Sequence, residues 1–150
     1  MARHPADPPL DPARYPFAHP VRVRFAETDA MGVVHHGSYI PWLEEARVAL
    51  LAHGGHDYAE VHSGGIDLAV VDLAARYRRP VRFGDAVVVH TGVAAATRSL
   101  VEIAYLVVAA GETALSAVTT HACVGPDGRP QRVPPWLAEL ADAPATALRA

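Results

Sequence analysis

From Ile66 to Val124 the apolar residues recur at every second position, and short turn signals break the run only three times. A period of two is the mark of strands, whose side chains alternate between the two faces of a sheet. Ala69, Val71, Leu73, Ala75 and Tyr77 are predicted to share one face of a first long strand, with Asp72, Arg76 and Arg78 on the other. Pro80 and Phe83-Gly84-Asp85 then mark a turn. Val87, Val89, Thr91 and Val93 form a second strand, and Val101, Ile103, Tyr105 and Val107 a third after the Thr97-Arg98-Ser99 turn. Ala110-Gly111 leads into a last strand over about Thr113 to Val124, closed by Gly125-Pro126-Asp127-Gly128. Turns this short join antiparallel neighbours.

The segment before Ile66 has a different rhythm. Val21 to Phe25 alternates apolar and basic residues, as in a short half-exposed strand. A loop with Asp29, Gly32, His35 and His36 follows. A helix is predicted from near Ser38 to near Gly54, with Ser38 as its cap and Pro41 accommodated in the first turn. Tyr39, Leu43, Ala46 and Leu50 make its apolar stripe, whereas Glu44 and Arg47 pair weakly on the outer side. Gly54-Gly55 ends it, and residues 56–65 add a short helical turn before Gly64-Gly65. One apolar helix followed by four long strands predicts an α+β fold, a curved antiparallel sheet of about five strands wrapped around a central helix.

The chain is 150 residues, enough for one domain with a substantial core. Residues 1–20 carry six prolines and are expected to form an extended arm. Residues 21–137 form the domain, and residues 138–150 a frayed Ala-rich tail. A net charge of −3 argues against a nucleic-acid binder. A single cysteine, Cys123, excludes an internal disulfide and a cysteine-rich metal site. No apolar run is long enough for a membrane span, and the first twenty residues lack the apolar core of a signal peptide. A cytoplasmic protein is the expectation.

The segment Asp29-Ala30-Met31-Gly32-Val33-Val34-His35-His36-Gly37-Ser38-Tyr39, followed by Trp42-Leu43-Glu44-Glu45-Ala46-Arg47, resembles the 4-hydroxybenzoyl-CoA thioesterase family of hot-dog fold. The closest likeness is to its Tol-Pal-associated acyl-CoA thioesterase branch. Tyr77-x-x-Pro80, Gly84-Asp85 and Gly128-Arg129-Pro130 add to it, so that the resemblance spans roughly residues 20–137. Three positions depart from that branch: Glu27 stands where it often has Asp, Met31 where it has a small residue, and His35 where it has an aromatic one.

The resemblance implies hydrolysis of an acyl-CoA thioester, with Asp29 as nucleophile or general base. A carboxylate serves either purpose, and a loop Asp is equally suited to organising its own turn. The resemblance also implies that the backbone N–H of His36 meets the oxyanion; the start of a helix offers such donors. By the same resemblance Gly32, Tyr39, Gly65 and Arg98 contact the substrate, although Tyr39 also suits core packing and Gly32 a plain turn. Arg98 is expected at CoA, and Arg76, Arg78, Arg79 and Arg82 either at its phosphates or simply in solvent. No cofactor is expected beyond the CoA of the substrate, and no metal: His53-x-x-His56 lacks the two-turn spacing of a helical zinc pair. Glu44 and Glu45 read as solvated helix charges rather than a second catalytic carboxylate, and His35 as an ordinary surface residue. The family further implies a homodimer or homotetramer joined through sheet edges, with sites at subunit boundaries. Acyl-carrier-protein thioesters are an alternative substrate, and a non-catalytic acyl-CoA-binding module an alternative role.

Overall fold

The computed structural model describes residues 7–141. Residues 1–6 of the predicted arm and 142–150 of the predicted tail lie outside them. Five antiparallel strands form one sheet: β1 (Phe17–Arg22), β2 (Asp67–Tyr77), β3 (Ala86–Ala96), β4 (Leu100–Ala109) and β5 (Glu112–Val124). Their order across the sheet is β1-β3-β4-β5-β2, so β3, β4 and β5 are a meander flanked by two earlier strands. The helix α1 (Tyr39–His53) packs against the inner face, and two short helices, α2 (Tyr58–Ser63) and α3 (Pro135–Leu140), complete the fold.

The predicted stripe of α1 is buried and is wider than expected, adding Trp42 and Leu51 to Tyr39, Leu43, Ala46 and Leu50. It meets the inward residues of β3 and β4, including Val89, Val93, Ile103 and Tyr105, all essentially inaccessible to solvent. Each such aliphatic side chain contributes about 1.5–3 kcal/mol by leaving water. Arg47 departs from expectation. Its side chain is 8% exposed, against 66% for Glu44, so their 3.6 Å pair reaches from the interior to the surface. Tyr105, Thr119 and His121 form a buried chain of hydrogen bonds of 2.9 and 2.7 Å on the same inner side.

Three other expectations are corrected. The first strand begins at Phe17 instead of Val21 and ends at Arg22, and Phe25–Glu27 turn into a 3-10 helix. Pro20 pairs with Val88 inside that strand, a position open to proline because β1 is an edge. In β2 the register shifts between Val70 and Asp72, a bulge that absorbs Val71. One extra residue moves the alternation to the other face. Leu68 and Val70 therefore stand opposite Cys123 and His121, while Leu73, Ala75 and Tyr77 keep their predicted face opposite Thr119, Ala117 and Leu115. Ala69 is on the reverse face, separated from the residues predicted beside it. The third correction is at the C-terminal end. Residues 135–140 are helical and Leu137 and Ala141 are core residues, so the segment just after Pro135 is docked rather than frayed.

Part of the outer face of the sheet is covered as well. Tyr15 packs on Ala104 and Leu106 of β4, and its hydroxyl donates to the Pro9 carbonyl at 2.7 Å. Asp7 reaches Arg76 and Arg78 at 3.2 and 3.6 Å. The proline-rich segment is thus a strap across the back of the sheet.

Candidate active site

The loop between β1 and α1 is closed at its neck by a bridge between Thr28 and Val34. Inside it the Asp29 N–H donates to the Val33 carbonyl at 2.8 Å, and Gly32 N–H to the Asp29 carbonyl at 2.9 Å. Asp29 Oδ1 accepts from Met31 N–H at 2.9 Å. Asp29 therefore does organise its own turn, and does so with one carboxylate oxygen. Gly32 has φ +77°, a left-handed backbone, and an added Cβ would meet only Arg82 Nη1, at 3.7 Å. Conformation, not close approach, is what this glycine supplies.

The chain enters α1 through a 3-10 turn, His36–Ser38, and here the sequence expectation fails in an informative way. Ser38 is in the helical region and makes no side-chain cap. His35 caps instead: its Nδ1 accepts from Gly37 N–H at 3.0 Å and its carbonyl from Ser38 N–H at 2.9 Å. His35 is therefore more than a surface residue. Two of the three N–H groups of the turn are taken by it, and among the described residues no hydrogen bond occupies that of His36. The ring of His36 lies against that of His35, tilted by 32° with centroids 4.1 Å apart.

A cleft of roughly 350 Å³ opens beside this turn. Asp29, Val33, Val34, His36 and Tyr39 line one side, and Tyr77, Arg78, Arg79 and Pro80 the other. The structure thus brings together three predicted site residues, Asp29, His36 and Tyr39, with Gly32 in the turn that holds the first. Tyr39 is 3% exposed, so packing and cleft lining coincide in it. Burial pushes its hydroxyl above the ordinary tyrosine range, and does the same to Tyr77. Tyr39 meets Tyr77 edge to face at 5.5 Å. Tyr77 was predicted only as a strand residue, although Tyr77-x-x-Pro80 already singled it out.

The arginines at the cleft are not idle. Arg78 Nε donates to Ser116 Oγ at 3.1 Å, and Arg79 pairs with Glu112 at 2.9 Å. Gly65 and Arg98 lie elsewhere. Gly65 immediately precedes Ile66 and the start of β2, and Arg98 sits in the β3–β4 turn with its carbonyl accepting from Val133 N–H. Both are at the opposite end of the sheet from Tyr77, roughly 33 Å along an eleven-residue strand. Within one chain they do not join the cleft. Glu44 and Glu45 are also outside it. The histidines of the α1–α2 region have separate partners: His53 lies against Phe17, His56 stacks on Trp136 at 3.8 Å, and His62 pairs with Asp67 at 2.7 Å.

Comparison with known proteins places this geometry. The chain is 35% identical over 105 residues to the putative acyl-CoA thioesterase YneP of Bacillus subtilis, covering 69% of this chain and 76% of that protein. A hypothetical protein of Thermus thermophilus, TT1821, has the same fold with a TM-score of 0.78 and 36% identity, over 82% of this chain and 98% of that one. The DHNA-CoA thioesterase of Staphylococcus aureus superposes with a TM-score of 0.76 at 30% identity, over 86% and 88% of the two chains. The model of the thioesterase-like superfamily matches residues 23–141, a span that takes in the Asp29 loop, α1 and the β2–β5 sheet. With its helix inside a curved five-stranded antiparallel sheet, the chain has the hot-dog fold and belongs to the thioesterase-like superfamily.

Proposed function

We propose that this thioester hydrolase is an acyl-CoA thioesterase of the 4-hydroxybenzoyl-CoA thioesterase type, nearest to the Tol-Pal-associated branch, and that it works in the cytoplasm. It converts an acyl-CoA and water to CoA and a carboxylic acid. The observation that carries the reading is the shared cleft of Asp29 and the His36 turn. Support also comes from the names of its relatives, an acyl-CoA thioesterase and a DHNA-CoA thioesterase.

In this reading the thioester carbonyl lies between the Asp29 carboxylate and the His36 N–H. Asp29 either attacks the carbonyl carbon or takes a proton from the attacking water. The carbonyl oxygen becomes an oxyanion, and the His36 N–H donates to it; one such donor is worth roughly 3–4 kcal/mol in the transition state. Collapse of the intermediate breaks the C–S bond and releases CoA thiolate, which takes up the proton. If Asp29 attacks instead, the thiolate leaves before any water is deprotonated, and the water that then hydrolyses the Asp29–acyl mixed anhydride supplies the proton. Met31 N–H holds one carboxylate oxygen, which leaves the other for this work.

The same reading includes a dimer. β2 is a sheet edge with Val70 and Val71 more than half exposed. Pairing two such edges antiparallel about a two-fold axis sets the start of one β2 beside the end of the other. Gly65 and Arg98 of a second copy would then reach the cleft that they do not reach in their own chain.

Purified Asp29→Asn protein tests the chemistry. Turnover of acyl-CoA thioesters should fall by about 10²–10⁴-fold with the fold retained. Wild-type turnover, with deamidation excluded by mass spectrometry, would remove Asp29 from the mechanism. Matched CoA and carrier-protein thioesters in the same assay identify the carrier.

A further inference from the structure

Glu27 is a carboxylate in an unusual setting. It is 7% exposed, yet it closes a short 3-10 turn only two residues before Asp29. Its Oε2 accepts from Arg24 N–H at 2.8 Å, and its Oε1 from Arg24 Nε at 3.1 Å and from the Trp42 indole Nε1 at 3.1 Å. Its carbonyl accepts from His35 N–H at 2.8 Å. The Thr28–Val34 bridge lies immediately inside this last bond. Trp42 itself is fixed: it is 2% exposed and packs edge to face on Tyr39 at 5.0 Å.

We propose that Glu27 is a positioning residue, which locks the neck of the Asp29 loop to α1 and so sets the distance between the Asp29 carboxylate and the His36 N–H. The inference rests on the role given to Asp29 above. Its logic is geometric. The main chain of Glu27 holds the residue just before His36, and its side chain holds a tryptophan one turn into the helix. One residue therefore ties both margins of the cleft to the same rigid element. Catalysis between two groups is sensitive to displacement, and a shift of about 1 Å costs on the order of 100-fold.

The charge state suits the task. Burial pushes the Glu27 carboxyl upward, but the Arg24 backbone N–H, the Trp42 indole and the Arg24 guanidinium outweigh it, and the net shift is downward. The group is an anion at neutral pH, and an anion accepts all three bonds. The length of the side chain matters equally. An aspartate would draw the carboxylate back by about 1.5 Å, one C–C bond, and out of hydrogen-bond range of the indole.

The test is steady-state kinetics on Trp42→Phe and Glu27→Gln, with Glu27→Asp and Asp29→Asn in parallel. Trp42→Phe keeps an aromatic ring in the core and deletes the indole N–H, together with the volume of the fused ring. Both Trp42→Phe and Glu27→Gln should lower kcat by about 10- to 100-fold while KM changes by less than about 3-fold. Glu27→Gln leaves a single amide oxygen for three donors and so weakens the tie that Trp42→Phe removes, and the double variant should fall no lower than the worse single one. Glu27→Asp should resemble Trp42→Phe and not wild type. A folded Trp42→Phe protein with wild-type kcat, or with its loss in KM, overturns the positioning role. If Asp29→Asn is inactive in that same experiment, the assignment of Asp29 survives alone. An active Asp29→Asn overturns both.

Discussion

The Tyr77 hydroxyl donates to the His36 carbonyl oxygen at 2.7 Å, across 41 positions of sequence. It joins the end of β2, an edge strand, to the turn that carries the proposed oxyanion donor. The plane of a peptide links the carbonyl of one residue to the N–H of the next, so this bond orients Gly37 directly and His36 through its own backbone.

Tyr77→Phe should therefore separate packing from orientation. The edge-to-face contact with Tyr39 remains, and the hydroxyl bond is lost. We expect about 1 kcal/mol off the unfolding free energy and a several-fold lower kcat. Urea unfolding and turnover measured on one preparation check both. Unchanged kcat would show that the bond is structural only.

Acid should weaken the fold before the carboxylates titrate. His121 is fully buried, and burial first, then the nearby Arg47 charge, lower its pKa to about 4. The unfolded chain takes up this proton near pH 6.5. Unfolding thus consumes a proton between those values, and stability falls as pH falls through that window. About 2 kcal/mol should be lost between pH 7.5 and 5. Denaturant titrations at the two pH values measure it, and His121→Gln should flatten the difference. Burial shifts His90 the same way and leaves a residual slope in that variant.

Leu137 is inaccessible to solvent, on a helix of only six residues. Leu137→Ala should cost about 2–4 kcal/mol, the range for a buried leucine whose site cannot collapse fully. A loss below 1 kcal/mol, on the same order-of-magnitude scale, would mean that α3 contributes little to the core.

The exposed β2 edge gives a test of assembly. Val71 is the bulge residue and is 58% exposed. Val71→Lys places a charge where an apolar edge would pair, a substitution that discourages strand addition. Sedimentation should show a folded monomer, with turnover reduced because Gly65 and Arg98 of the second copy are withdrawn. A dimer that persists would move the interface away from this edge.

Much of this was legible in the sequence because two periodicities are hard to counterfeit. The inward sets on β3 and β4, Val87-Val89-Val93 and Val101-Ile103-Tyr105-Val107, are those predicted by simple alternation. The stripe on α1 likewise follows helical spacing. What was missed depends on contacts distant in sequence. Nothing local distinguishes the buried Arg47 from the exposed Glu44. The bulge at Val71 is invisible because Ala69 to Leu73 keeps an apolar look in either register. Glu27 as a strut rests on a partner that only the folded chain supplies, an indole fifteen residues away, whereas His35 as a cap is a local contact that the apparent fitness of Ser38 for the same role concealed. At the C-terminal end, two prolines suggested an end to structure, whereas Pro135 opens a short helix at a position where its missing N–H is harmless.

The strand order also dictates a sequence of events in time. The β3–β4–β5 meander joins neighbours through tight turns, and such local pairings form fast. Both outer strands precede it in the chain, so β1 must close on β3 across some seventy residues and β2 on β5 across about fifty. The Asp29 loop hangs between one of these late strands and the helix, and Tyr77 terminates the other. A refolding chain should recover its sheet signal first and its hydrolytic activity afterwards, and the interval between the two is the time needed to finish the margins of the sheet.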